Sequence, residues 1–154
     1  MSQKLVFRGL GLFLLAGLLM SSAGCCSFNR DWKAQMKKAV PENEIEGPWD
    51  GSWLSETKGH HGRLRGLLTR QTEDQYRARF HAKFWKIFSF GYTVPLTATK
   101  TNEAYHMRGD ADLGWWAGGA YHYEADANPT NFIATYRSKG DHGTFQMHRP
   151  RASD

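Results

Sequence analysis

Between residues 75 and 96 the chain alternates apolar and polar residues with period two, and no other feature of its 154 residues restricts the fold so tightly. Tyr76, Ala78, Phe80, Ala82 and Phe84 share one side of this pattern, and Arg77, Arg79, His81 and Lys83 share the other. After the aromatic break Trp85-Lys86-Ile87, the residues Phe88, Phe90, Tyr92, Val94 and Leu96 resume the alternation. Side chains of a strand point to opposite faces in turn, so the pattern predicts two half-buried antiparallel strands.

Further strand-like segments are expected at 49–56, 62–70, 104–109, 119–125, 131–138 and 143–149. Clusters of Gly, Asp, Asn and Pro separate them at short spacing. The expected fold class is all-β, a single antiparallel up-and-down β-barrel of about eight strands. A two-sheet sandwich is the alternative, and it differs in whether the first and last strands pair. The register of one hairpin can be derived. Like faces must meet, so paired residue numbers have an even sum. A sum of 146 leaves the loop Thr72-Glu73-Asp74 and pairs Leu64 with Ala82, Gly66 with Phe80 and Leu68 with Ala78. It also sets Arg63 against Lys83 and Arg65 against His81 on the outer face.

Phe28, Trp32, Met36 and Val40 recur every four residues ahead of Pro41 and predict a short amphipathic helix, packed on the outside or over one end of the barrel. Lying on a membrane surface is the alternative. The acidic, proline-bounded stretch 41–48 reads as a linker. At the N-terminus, Lys4 and Arg8 precede an apolar run at 10–20 and the small residues Ser21-Ser22-Ala23-Gly24, the anatomy of a secretory signal peptide. Ala23-Gly24-Cys25 resembles the lipobox of bacterial lipoproteins, with Ser22 where that family most often has Leu. The resemblance implies that Cys25 is fatty-acylated and begins the mature chain. Cys26 is not the aspartate that retains enterobacterial lipoproteins at the inner membrane, so the analogy implies residence at the outer membrane, facing periplasm or surface. Ordinary cleavage and secretion, or an uncleaved anchor, are the alternatives. The expected division is a signal peptide at 1–24, a lipidated N-terminus with helix and linker at 25–48, a barrel at 49–149 and a tail at 150–154.

Gly51-Ser52-Trp53 resembles the Gly-x-Trp signature of lipocalins and the opening strand of avidins. The likeness implies an eight-stranded barrel and a calycin-like carrier of a small apolar or amphipathic ligand. The whole chain is similar to small lipoproteins of bacterial envelopes, which implies surface placement without assigned chemistry.

The chemistry-bearing residues are sparse. The formal charge of +5 falls to +3 once Lys4 and Arg8 are removed (5 − 2), and no nucleic-acid motif accompanies it. The motifs of hydrolase nucleophiles and phosphate-cradling loops are missing, and the thiols Cys25 and Cys26 belong to the lipidation motif. The expectation is a non-enzymatic binding or structural module without a cofactor. Asp110 and Asp112 read as turn residues. His60, His61, Asp141 and His142 lie in two similar turns, Lys58-Gly59-His60-His61-Gly62 and Lys139-Gly140-Asp141-His142-Gly143. They are the candidates if a metal binds, although the ligand spacing argues for none. Arg63, Arg65, Arg77, Arg79, His81 and Lys83 form one basic face, read as solvated surface or as a patch for anionic envelope lipids or polymers. The stretches 84–88 and 114–119 read as plugs of the barrel end, or as tips that touch a membrane or a partner.

Overall fold

The structure is a computed structural model that describes residues 27–38, 43–84, 88–102 and 104–151. The signal peptide, Cys25 and the loop residues Trp85, Lys86 and Ile87 lie outside these. Eight strands follow in order: β1 Gly47–Ser55, β2 His61–Arg70, β3 Gln75–Phe84, β4 Phe88–Thr101, β5 Ala104–Asp112, β6 Ala120–Ala127, β7 Asn131–Ser138 and β8 His142–His148. Each pairs antiparallel with its neighbours in sequence, and β1 closes on β8 from Asp50↔His148 to Ser55↔Gly143. That last ladder makes the sheet a closed barrel and excludes the sandwich. Closure also removes the free edges that an open sheet would expose.

The derived register holds. Leu64 faces Ala82, Gly66 faces Phe80 and Leu68 faces Ala78, with Arg65 opposite His81 on the outside. The Gln71 N–H bonds the Gln75 carbonyl across Thr72-Glu73-Asp74. Two strands run further than expected. β4 continues to Thr101 because Ala98 keeps the inward alternation, 8% exposed. β5 continues to Asp112, so Asp110 is a strand residue that faces out and pairs with His122 on β6. A turn-forming residue on the solvent face of a strand looks, in one dimension, like a turn. Pro95 fits within β4 because the ladder to β5 begins just beyond it, at Thr97↔Arg108, where its missing N–H is not needed.

The interior follows the rule of large against small. Trp49, Tyr76, Tyr105, Phe132, Leu64, Leu96 and Met147 interleave with Ala78, Ala98, Ala125, Ala127 and Ala134. Glycines let strands approach where a side chain could not, Gly51 and Gly143 among them. A Cβ on Gly51 would lie 2.0 Å from the Gln146 carbonyl oxygen, and one on Gly143 would lie 1.9 Å from that of Leu54.

Residues 27–36 form a helix, α1, that lies on the outside of the barrel. Phe28 and Trp32 are 4% and 3% exposed and pack with Met36 on Leu67 of β2. The covered surface is the basic face of β2 and β3. The amphipathic stripe therefore meets protein, as its apolar face requires.

Candidate functional site

The two ends of the barrel differ. At one end the segment 43–46, expected as a linker, lies against the core. Ile45 is fully buried and its carbonyl accepts the indole N–H of Trp49 at 3.0 Å. The Arg149 guanidinium sits 4.1 Å over the Trp49 ring. It donates to the carbonyls of Glu44 (2.7 Å), Glu46 (2.7 Å) and Pro129 (3.0 Å). Burial pulls the Arg149 pKa down to about 10. The acids of this segment are held as well: Glu46 accepts the Arg70 N–H at 2.6 Å, and Glu44 lies 3.6 Å from the Arg70 guanidinium. This end is closed by packed and hydrogen-bonded groups.

The opposite end is hollow. A cavity of about 230 Å³ opens there between the rims of the strands. Trp53, Phe84, Phe90 and Tyr92 form its walls, together with Tyr123 and Phe145. Tyr76 and Phe80 do fill the interior, at 1% and 3% exposure. The reason is position along the strands. Phe84 and Phe88 pair at the rim, so side chains near them have barrel on one side and the mouth on the other. Trp53 stacks on Phe84 (5.7 Å between centroids) and donates its indole N–H to the Lys83 carbonyl at 3.1 Å, which fixes both rings upright.

Tyrosines supply most of the remaining wall. Burial raises the hydroxyl pKa of Tyr92 well above its ordinary value, and it also raises those of Tyr123 and Tyr136. Tyr92 stacks on Tyr123, and the Tyr121 hydroxyl donates to the Ala117 carbonyl at 3.0 Å. The phenols of Tyr92, Tyr123 and Tyr136 are neutral at physiological pH and act as polar points in an otherwise apolar wall. Asp141 reaches the same cavity from the turn between β7 and β8. Its carboxylate accepts the Ser55 hydroxyl at 2.6 Å and lies 3.4 Å from the Tyr136 hydroxyl.

The two histidine-bearing turns do meet at this end. The Thr57 hydroxyl lies 2.9 Å from His142 Nδ1, and the Glu56 N–H bonds the His142 carbonyl. Their side chains diverge, however. His60 packs edge-on against Phe84, His61 Nδ1 lies 3.4 Å from the Gly59 carbonyl, and His142 faces Glu56. Among the described residues no three His, Cys, Asp or Glu side chains gather as a metal site. Trp115 stands in a single 3-10 turn, Trp115–Ala117, at 92% exposure, and Phe88 is 64% exposed. Neither plugs the barrel. Leu113 and Ala117 line the mouth while Trp115 points away from it.

The basic face is only in part the solvated surface expected, because several of its residues are paired or covered by α1. Asp50 on β1 takes two hydrogen bonds from Arg63 (2.9 and 2.5 Å) and lies 4.0 Å from Arg65. Arg65 also lies over the Trp32 ring, Arg79 pairs with Asp31 at 2.8 Å, and Phe28 stacks on His81. Burial, reinforced by Arg65 and Lys83, lowers the His81 pKa and keeps the ring neutral. That relieves the like-charge pairing of Arg65 with His81. Arg63, Arg77 and Lys83 remain exposed. Sequence reasoning passed over Asp50 and Asp141 as partners. Leu67 was the available signal for α1: it is an apolar residue on the polar side of the β2 alternation.

No protein-family model matches the chain, and no curated protein matches it. Among solved structures it is similar to a de novo designed fluorescence-activating beta barrel. The identity is 14%, the TM-score 0.47, and the match covers 69% of this chain and 94% of that one. The closed eight-stranded architecture stands on the strand pairing itself.

Proposed function

We propose that this is a lipid-anchored cell-envelope protein whose barrel binds a small apolar or amphipathic ligand at its open end, without catalysis. The observation that carries the binding reading is the asymmetry of the barrel. One end is packed around Trp49 and Arg149, and the other holds a cavity of about 230 Å³ walled by aromatic rings. Ligand sites typically run from about 300 to 1,000 Å³. The cavity therefore suits a compact molecule, or one that extends through the mouth. The carrier reading gains over the purely structural one because an empty apolar hollow lowers stability. A barrel with only a structural role has no need of it.

The anchor reading rests on the lipobox-like Ala23-Gly24-Cys25. Outer-membrane residence follows the lipoprotein analogy. An anionic partner of the outer basic face would be left with Arg77 and Lys83 as its main contacts.

Two measurements test these readings. The small fluorescent probe 1-aminoanthracene should bind the wild-type chain saturably, and Ala82→Phe, which fills the cavity from its wall, should abolish that binding. Unchanged binding in this variant would remove the pocket from consideration. Metabolic labelling with a fatty-acid probe should mark the wild type and not Cys25→Ser. Equal labelling of both would reject the anchor.

A further inference from the structure

We propose that the open-end pocket takes an organic ammonium cation carried on an apolar body, with Asp141 as its counter-charge; this rests on the pocket being a ligand site.

The first ground is the wall. Tyr92 faces Tyr123 with centroids 6.4 Å apart, Tyr123 faces Tyr121 at 6.2 Å, and Tyr121 lies 5.9 Å from Tyr136. Phe145 then touches both Tyr136 (5.2 Å) and Tyr123 (6.1 Å). Ring faces carry partial negative charge, and a group of them around one space attracts a cation whose hydration they can replace. The rings also offer apolar contact to whatever carries the charge.

The second ground is the charge inventory. Among the described residues lining the cavity, Asp141 is the one carboxylate, and no Lys, Arg or His joins it. An ionised carboxylate offers about four acceptor sites. The Ser55 hydroxyl and the more distant Tyr136 hydroxyl are its side-chain donors. The turn holds the group in place: the Asp141 N–H bonds the Ser138 hydroxyl at 3.0 Å, and the Asp141 carbonyl accepts the Ser138 N–H at 2.7 Å. A fixed carboxylate with spare acceptor capacity, beside stacked ring faces in a cavity whose described lining holds no basic side chain, repels anionic ligands and favours cations. A fatty-acid carboxylate is therefore a poor occupant.

The test compares 2-phenylethylamine with 2-phenylethanol, which share a body and differ in the charge of the head. Binding to the full-length chain is measured by isothermal titration calorimetry at pH 7. The amine is expected to bind at least tenfold more tightly than the alcohol. Asp141→Asn, which keeps an oxygen for Ser55, is expected to remove most of that preference by weakening the amine far more than the alcohol. Tyr123→Leu is expected to weaken the amine more than the alcohol. Equal affinity for the two probes in the wild type would overturn the cation proposal and leave the ligand pocket standing. Failure of both probes, together with failure of 1-aminoanthracene, would overturn the pocket itself.

Discussion

Replacing Arg149 by Met should cost the barrel about 2–4 kcal/mol. The side chain donates three short hydrogen bonds, at 2.7, 2.7 and 3.0 Å, to carbonyls of two segments more than a hundred and about twenty residues distant. Bonds from a charged donor contribute about 1.5–3 kcal/mol each. The contact with Trp49 adds about 0.5–2 kcal/mol. Against this, burial of the cation lowers its pKa from 12.5 to about 10, which corresponds to at most about 3.5 kcal/mol working against folding, and to less once the water that still reaches the half-buried guanidinium screens its charge. The low end of these ranges applies, because Met retains the apolar stem over Trp49 and the freed carbonyls lie near water. For a domain of this size each kcal/mol shifts Tm by about 4–8 °C, so a fall on the order of 10–25 °C is expected. Urea unfolding followed by far-ultraviolet circular dichroism measures it, with the m-value unchanged. Arg149→Lys should recover only part of the loss, since one ammonium cannot fork to carbonyls on both segments. A loss below about 1 kcal/mol for Arg149→Met would refute the account of how this end is closed.

Trp32→Ala removes a side chain that is 3% exposed between α1 and Leu67, and should cost about 3 kcal/mol while raising binding of a hydrophobic dye; an unchanged urea midpoint would show that α1 does not dock. Stability should decline on both sides of neutrality. The folded pKa of His81 lies below its ordinary 6.5, so the unfolded chain binds more protons and stability falls as pH drops through and below 6.5. Tyr76 is raised from 10.0 to about 12 by burial, and Tyr92, Tyr123 and Tyr136 are raised too, so that stability is present below pH 10 and lost as pH climbs from 10 through 12. Tyrosinate absorbance should accordingly lag the free amino acid until the circular dichroism signal collapses, and His81→Leu should flatten the acid limb alone. Trp115→Ser, at a residue 92% exposed, should leave Tm within about 2 °C but reduce association of the open end with lipid vesicles; a large drop in Tm would mean that the ring is packed.

The period-two alternation sufficed for the strands, their order and one hairpin register, because all three are local. A strand's two faces are set by residue parity, and a short loop leaves its neighbour no other partner. Leu64, Gly66 and Leu68 could thus be matched to their partners from parity and loop length alone. The same locality explains what was misread. Asp110 and the stretch 97–101 have turn-like or polar composition but lie on the solvent face of strands, and parity alone does not say where pairing ends. Barrel closure required β8 to return to β1, about a hundred residues away along the chain. Only that return brings Arg149 over Trp49 and Asp141 beside Ser55. The basic face was legible as a face, yet its covering was not, because α1 meets it through Phe28, Trp32 and the Asp31–Arg79 pair, which lie far along the chain from the strands they cover. The cavity was the least legible feature. Trp53, Phe84 and Tyr92 are inward by parity in the same way as Tyr76 and Phe80, and whether an inward ring fills space or borders it depends on how near the rim it sits and on what stands across the barrel.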